Sequence, residues 1–351
     1  MPESPRFLEL SLSAQTVYAE LAERTRAFEV SNALAGLSGS FHTLRRKGNT
    51  YWYFSYREPG VERSPVVYIG PDNEQVRTLV ERFRSQRSPK ALAPQALAAI
   101  NLGCAPVAPK HFRVIKRLSE YGMFRAGAVL IGTHAFLALG NLLGVRWNDG
   151  ASTLDVDIAH AGRNVSVALP ADLRVNVHGA LQSLEMGLLP MSELDGSIGA
   201  QYRNPADEEL RVDFLTTRSR SGSPVRMPAL NIALEPLKFM EFVLEGTTQG
   251  CLIGRIGACI VNLPAPERYA VHKLVVYGER PVAQRTKATK DLLQAAALAS
   301  WFAATKQTAI FNRAWRDLVL RGRGWQSRAK QGQEALLRLA PELDIPALWK
   351  Q

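Results

Sequence analysis

Leu154-Asp155-Val156-Asp157-Ile158 decides the fold. In a strand, successive side chains point to opposite faces, so Asp155 and Asp157 share one face while Leu154, Val156 and Ile158 point into a core. Two carboxylates that close repel each other. Partly buried, they either share a proton or hold a cation, and Mg²⁺ favours carboxylate oxygens. Working upstream, Ala128-Val129-Leu130-Ile131 reads as a buried strand, Gly132-Thr133 as a tight turn, and His134 to Leu143 as a helix. A turn glycine followed by a hydroxyl residue at a helix start exposes backbone N–H groups and the positive dipole end, which suits nucleotide phosphates. Working downstream, a third carboxylate stands at Asp213 in Leu210-Arg211-Val212-Asp213-Phe214-Leu215, again inside strand-like apolar sequence. Three acids on two neighbouring strands suit a pair of divalent cations. Each motif alone also occurs in purely structural settings; their order along the chain makes the case.

In that order the sequence resembles the DNA polymerase β-like nucleotidyltransferase superfamily: a Gly-Ser or Gly-Gly turn, an Asp-x-Asp/Glu strand and a later acid on an adjacent strand. The matching positions are Gly132-Thr133, Asp155-Val156-Asp157 and Asp213. A closer likeness is to bacterial nucleotidyltransferase-domain proteins related to AbiEii-type toxins. It is carried by Pro264-Ala265-Pro266-Glu267-Arg268-Tyr269-Ala270-Val271-His272-Lys273-Leu274 and by Lys290-Asp291, and it covers residues 124 to 300. Two departures stand out: Thr133 replaces the usual Ser or Gly, and Gly144 to Gly150 reads as an insertion before the acidic strand.

The resemblance implies an α+β fold: a polymerase β-like mixed-sheet core with a small N-terminal α+β domain and a C-terminal helical domain. It implies two Mg²⁺ ions, with Mn²⁺ as the alternative, held by Asp155, Asp157 and Asp213, and a nucleoside triphosphate contacted by Gly132, Thr133, Lys273, Arg280, Lys290 and Asp291. The reaction would move a nucleoside monophosphate to an acceptor, RNA or tRNA first, with a toxin-like activity as one version of it and the antitoxin partner left unknown. The alternatives are transfer to a protein hydroxyl and a non-catalytic RNA-binding protein on a decayed scaffold. Lys287 and Asp291, spaced i and i+4, would also fit an ordinary surface ion pair of about 0.3–0.5 kcal/mol.

Composition narrows the partners. With 351 residues, 46% hydrophobic and 21% charged, the chain has room for two or three folded domains. A formal charge of +11 attracts polyanions, nucleic acid before an anionic membrane surface, although a basic surface tuned for solubility gives the same number. Cys104, Cys251 and Cys259 form no CxxC pair, and the first residues lack a secretory layout, which points to a reducing cytoplasm. Ala126 to Val145 carries no charge over 20 positions, but its glycines, Thr133, His134 and Asn141 read as buried strand and helix rather than a membrane span. No HExxH or GxSxG motif occurs, which excludes the commonest zinc and serine-nucleophile chemistries.

Boundaries near residues 110 and 263 divide the chain into 1–110, 111–263 and 264–351. The first part predicts a helix from Ala14 to Phe28 and three strands, Phe41 to Arg45, Thr50 to Tyr56 and Val66 to Ile69. Trp52, Phe54 and Tyr56 share one face of the second strand, Tyr51 and Tyr53 the other, and Arg45, Arg46, Lys47, Arg57 and Arg63 surround them. Such rings either stack RNA bases or build a small core. Asp72 is expected to cap the helix that carries Val76, Leu79, Val80 and Phe83, and Ser88 to Pro94 to form a linker. A polar loop is expected over Arg218 to Pro224, then further strands of the same sheet at Leu237–Leu244, Cys251–Ile253 and Ala258–Val261, and then helices.

Overall fold

The acidic strand lies inside a mixed seven-stranded sheet, where neighbours on both sides satisfy its backbone. The computed structural model describes residues 5–34, 39–46, 48–56, 66–86, 92–150, 153, 155–162, 175–192, 198–217 and 222–350. In chain order, β1 (Phe7–Glu9) precedes α1 (Leu12–Leu34), the strands β2 (Gly39–Arg46), β3 (Asn49–Tyr56) and β4 (Val66–Pro71), and the helices α2 (Glu74–Gln86), α3 (Ala93–Asn101) and α4 (Pro109–Glu120). Next come β5 (Val129–Leu130), α5 (Gly132–Leu142), β6 (Val145–Trp147), β7 (Asp155–Ala159), α6 (Val177–Gln182), β8 (Leu189–Ser192), β9 (Ile198–Asn204) and β10 (Asp207–Thr217). The chain continues with β11 (Val225–Met227), β12 (Ile232–Leu237), α7 (Met240–Leu244), β13 (Thr247–Gly254) and β14 (Gly257–Pro264). It ends in α8 (Pro266–Glu279), α9 (Arg285–Ala304), α10 (Thr308–Val319), α11 (Arg323–Leu339) and α12 (Pro346–Trp349).

The large sheet runs β11-β12-β10-β7-β5, with β9 also on β10 and β8 on β9. β10 is parallel to β7 and β12 and antiparallel to β9; β7 is antiparallel to β5. Period-two alternation puts Leu210, Val212 and Phe214 in the core and turns Arg211 and Asp213 to the other face. That core is continuous with Phe112 and Leu118 of α4, Leu274 of α8, Leu298 of α9 and Trp315 of α10. A second core joins Ala14, Tyr18 and Leu21 of α1 and Ala96 of α3 to Cys251 and Ile260. There the Tyr18 hydroxyl accepts the Cys251 N–H at 3.1 Å, and the Glu29 carboxylate accepts the Ile260 N–H at 2.9 Å. The three cysteines are buried and free. Among the described residues no helix is long and apolar enough to cross a membrane.

Several local expectations are corrected. The cap of α2 is Asn73, whose Oδ1 accepts the Val76 N–H at 2.9 Å; Asp72 instead accepts from Trp52 Nε1 and Arg77. Pro94 belongs to α3, whose first turn tolerates a residue without N–H, while residues 88–91 of the expected linker lie outside the described residues. Gly132 and Thr133 open α5 itself rather than a separate turn. The supposed insertion contains β6, which pairs with β1. Leu237–Leu244 is no strand, because Phe239 turns left-handed (φ 67°) and α7 follows. Cys251–Ile253 and Ala258–Val261 form a separate two-stranded sheet, β13–β14, and do not extend the large one. Part of the polar loop, 218–221, together with Lys47, Arg57 and Arg63, lies outside the described residues.

Candidate active site

The parallel register sets Asp213 opposite Asp157 and Arg211 opposite Asp155, so all three expected carboxylates lie side by side on one face of β7 and β10. The start of α5 closes over them. Gly132 adopts φ +64°, and a Cβ built there would collide with Asp157 Oδ2, so only glycine allows the helix start to approach the carboxylate. The Ile131 N–H also donates to the Asp157 carbonyl at 3.0 Å. Burial, and then the Asp155 charge, raises the Asp157 carboxyl above the usual carboxylate range. Asp213 is pushed up to about 6, first by burial and then by Asp157. Its Oδ1 is buried with no hydrogen-bond partner among the described residues.

Cations surround this acidic face. The Arg211 guanidinium bridges Asp155, through Nη2, and Asp213, through Nε at 3.3 Å. Lys287 Nζ lies 3.6 Å from Asp155. From α8, the buried Lys273 ammonium sits 2.8 Å from Asp291 Oδ1 and 5.1 Å from the centre of the Tyr269 ring. Burial opposes its charge, but Asp291, Tyr269 and Asp157 outweigh that and raise its pKa. Lys290 moves the other way, lowered by burial and by Lys273.

Asp291 is fully buried and accepts from Lys273 Nζ and, at 2.6 Å, from Arg280 Nε; although burial acts against it, these two cations hold it below the usual carboxylate range. The surface pair with Lys287 is therefore not formed. Arg280 is the residue after α8, in extended conformation. Asp291 fixes Lys273 and Arg280, while Lys273, Lys290 and Arg211 all act on Asp157.

Thr133 is buried, and its Oγ1 accepts from Gln294 Nε2 at 3.3 Å; the same nitrogen donates to the Gly150 carbonyl at 2.7 Å. The Tyr269 hydroxyl lies 2.8 Å from both the Gly132 carbonyl and Gln294 Oε1. The first turn of α5 is thus clamped from α8 and α9. His134 is packed inside the protein: Nε2 lies 3.1 Å from His111 Nδ1, and burial, then His111, lowers it to about 3.

Arg211, Tyr269 and Gln294 were not singled out in the sequence, and Lys287, read there as a surface partner of Asp291, pairs with Asp155 instead. Arg211 stands two residues before Asp213, so strand alternation alone puts it on the acidic face. Tyr269 precedes Lys273 by four residues and Gln294 follows Lys290 by four, which places each pair on one helix face.

The acidic face suits a hard divalent cation in its chemistry, with three carboxylates and one buried oxygen left without a partner. With Arg211 drawn across Asp155 and Asp213, however, no group of three or more His, Cys, Asp or Glu side chains among the described residues is gathered as a metal cage. A cation would have to replace the guanidinium.

The sequence model of a family described as nucleotidyltransferase matches residues 110–320, more than half of the chain. No curated protein and no solved structure matches.

Proposed function

This chain belongs to the nucleotidyltransferase family, and from that premise we propose that it transfers a nucleoside monophosphate from a nucleoside triphosphate to RNA, tRNA among the acceptors, with Mg²⁺ or Mn²⁺ on a polymerase β-like site. Membership makes it an enzyme of nucleotidyl transfer that uses a nucleoside triphosphate. The observation that carries the rest is the register of Asp213 on Asp157, with Asp155 two residues away.

Asp155, Asp157 and Asp213 would hold the ions. When bound, Mg²⁺ would neutralise phosphate charge and polarise the α-phosphoryl group. This chain's own residues do the positioning. No side chain caps the α5 N-terminus, where backbone N–H groups and the helix dipole favour anions such as the triphosphate. Lys273 and Lys290 add positive charge beside Asp157. Asp213, with an unpartnered oxygen, receives and orients the acceptor hydroxyl. Arg211, once released from the carboxylates, would offer its fork to a phosphate. Orientation and charge neutralisation account for most of the catalysis expected of such a site. A toxin-like role, with an antitoxin that blocks it, is the version in which the acceptor is a host tRNA.

The test incubates the full chain with Mg²⁺ and each α-labelled triphosphate in turn, with total RNA or with protein extract, beside Asp155→Asn/Asp157→Asn. Label in RNA that depends on both aspartates is expected. Label confined to protein moves the acceptor to a protein hydroxyl; label in neither, with RNA still bound, leaves only a binding scaffold.

A further inference from the structure

The small sheet β2-β3-β4 has two faces of different character. On one, Trp52 reaches Asp72 beside α2, Phe41 packs on Phe54 at 4.9 Å, and Val80 of α2 is buried. The pairing register turns the other set of side chains the opposite way: His42 and Tyr68 both oppose Tyr53, and Leu44 opposes Tyr51. Their rings form one continuous cluster, with centroids 5.5 Å apart for Tyr53–Tyr68, 6.1 Å for Tyr51–Tyr68 and 6.0 Å for the near-parallel His42–Tyr53 pair. Tyr68 keeps 53% and Leu44 50% of its surface exposed, and Tyr51 and Tyr53 are half-buried.

A partly exposed cluster of tyrosines offers a surface to an occupant, and the charge identifies one. The three strands contain no Asp or Glu, while Arg45 and Arg46 stand exposed at the end of β2. Aromatic faces accept any base by stacking, and neighbouring cations hold the phosphates that join the bases.

We propose that the Tyr51, Tyr53 and Tyr68 face of this sheet is a stacking platform for single-stranded RNA, which holds the acceptor strand whose end hydroxyl takes the nucleotide at the carboxylate site. The proposal rests on the RNA-acceptor reading only for calling the bound strand the acceptor; strand capture is measured without any triphosphate. On this proposal Tyr51 and Tyr53 face the RNA strand, and Trp52 and Phe54 lie on the side of the sheet toward Asp72 and α2.

The test is fluorescence anisotropy of labelled 12-nucleotide single-stranded RNA on the full chain, at one fixed salt concentration. It compares wild type with Tyr53→Ala/Tyr68→Ala and with Tyr53→Phe/Tyr68→Phe, and circular dichroism melts check that each variant folds. Loss of both rings should weaken binding about tenfold or more, and the phenylalanine pair should stay within about threefold of wild type, because stacking needs the ring and not the hydroxyl. Wild-type affinity in the alanine pair overturns the proposal. So does an alanine pair that changes oligomeric state by light scattering while RNA affinity holds, since the face would then seat a second copy. If wild type labels no RNA yet the alanine pair loses the oligonucleotide, the platform stands and the transfer reading falls. If the alanine pair labels subsaturating RNA at the wild-type rate, the platform falls and the transfer reading stands.

Discussion

Asp213 ionises late in the folded chain, and this sets a pH dependence with a definite sign. Its carboxyl is raised to about 6, and Asp157 is raised beside it, so the metal-free fold binds protons that the unfolded chain has already released. The stabilisation is complete below about pH 4 and is lost as the pH rises through about 6. Without divalent cations, wild type should therefore lose about 1–3 kcal/mol more stability between pH 5 and pH 7.5 than Asp213→Asn does, measured by urea unfolding at each pH. Equal slopes would remove the electrostatic account of this residue. Arg211 bridges Asp155 and Asp213, so Arg211→Gln should melt lower without metal and gain more from added Mg²⁺ than wild type; a variant that melts like wild type refutes the bridge. Asp291 is a different case. Asp291→Asn strands the buried Lys273 and takes the carboxylate from Arg280, which should cost about 3–5 kcal/mol of unfolding free energy. Lys273→Met/Asp291→Leu should recover part of that loss, since no unpaired charge is then left at Lys273.

Helices α8 and α11 meet through glycine. A Cβ on Gly332 would run into the Leu274 carbonyl, and one on Gly278 would come within 2.5 Å of the Arg328 carbonyl, so the two backbones are in close approach. Ala is ordinarily worth up to about 1 kcal/mol over Gly inside a helix, but here overpacking reverses the sign. Gly332→Ala should destabilise by about 1–3 kcal/mol. Gly324→Ala in the same helix, whose Cβ would meet only the tip of Arg328 at 3.7 Å, should be neutral or stabilising. Paired melting curves decide it, and a stabilised Gly332→Ala would mean that the helices separate at no cost. These close approaches link residues distant in sequence, which is why they were illegible in it. What was legible was local: the strand at Asp155 and the acidic alternation at Asp213 both follow from period. Leu237–Leu244 failed because a short apolar run does not separate strand from helix, and nothing in it announced the left-handed Phe239. Asp291 failed as a surface residue because Lys287 was its only partner close in sequence; Lys273 and Arg280 reach it through the packing of α8 on α9.

Across the whole molecule, the formal charge of +11 and the uncharged tyrosine cluster contribute to one proposed complex in separable ways. Charge acts through counterion release, so RNA affinity should fall linearly on logarithmic axes as salt rises, by about 0.7 in slope for each phosphate contacted on a single strand. Stacking carries no net charge. The tyrosine-to-alanine pair should therefore lower affinity at every salt concentration and keep the wild-type slope, whereas Arg45→Ala/Arg46→Ala should flatten the slope by up to about 1.4. On the proposed reading, nucleoside triphosphate binding draws instead on Lys273 and Lys290 beside Asp157 and should keep its own salt dependence in both variants. If the arginine pair left the slope intact, the phosphates would have to cross another part of the basic surface, and the strand's path from the sheet to the carboxylates would need redrawing. A flattened slope with unchanged triphosphate affinity would establish that the platform and the transfer site are distinct parts of one polyanion-binding surface.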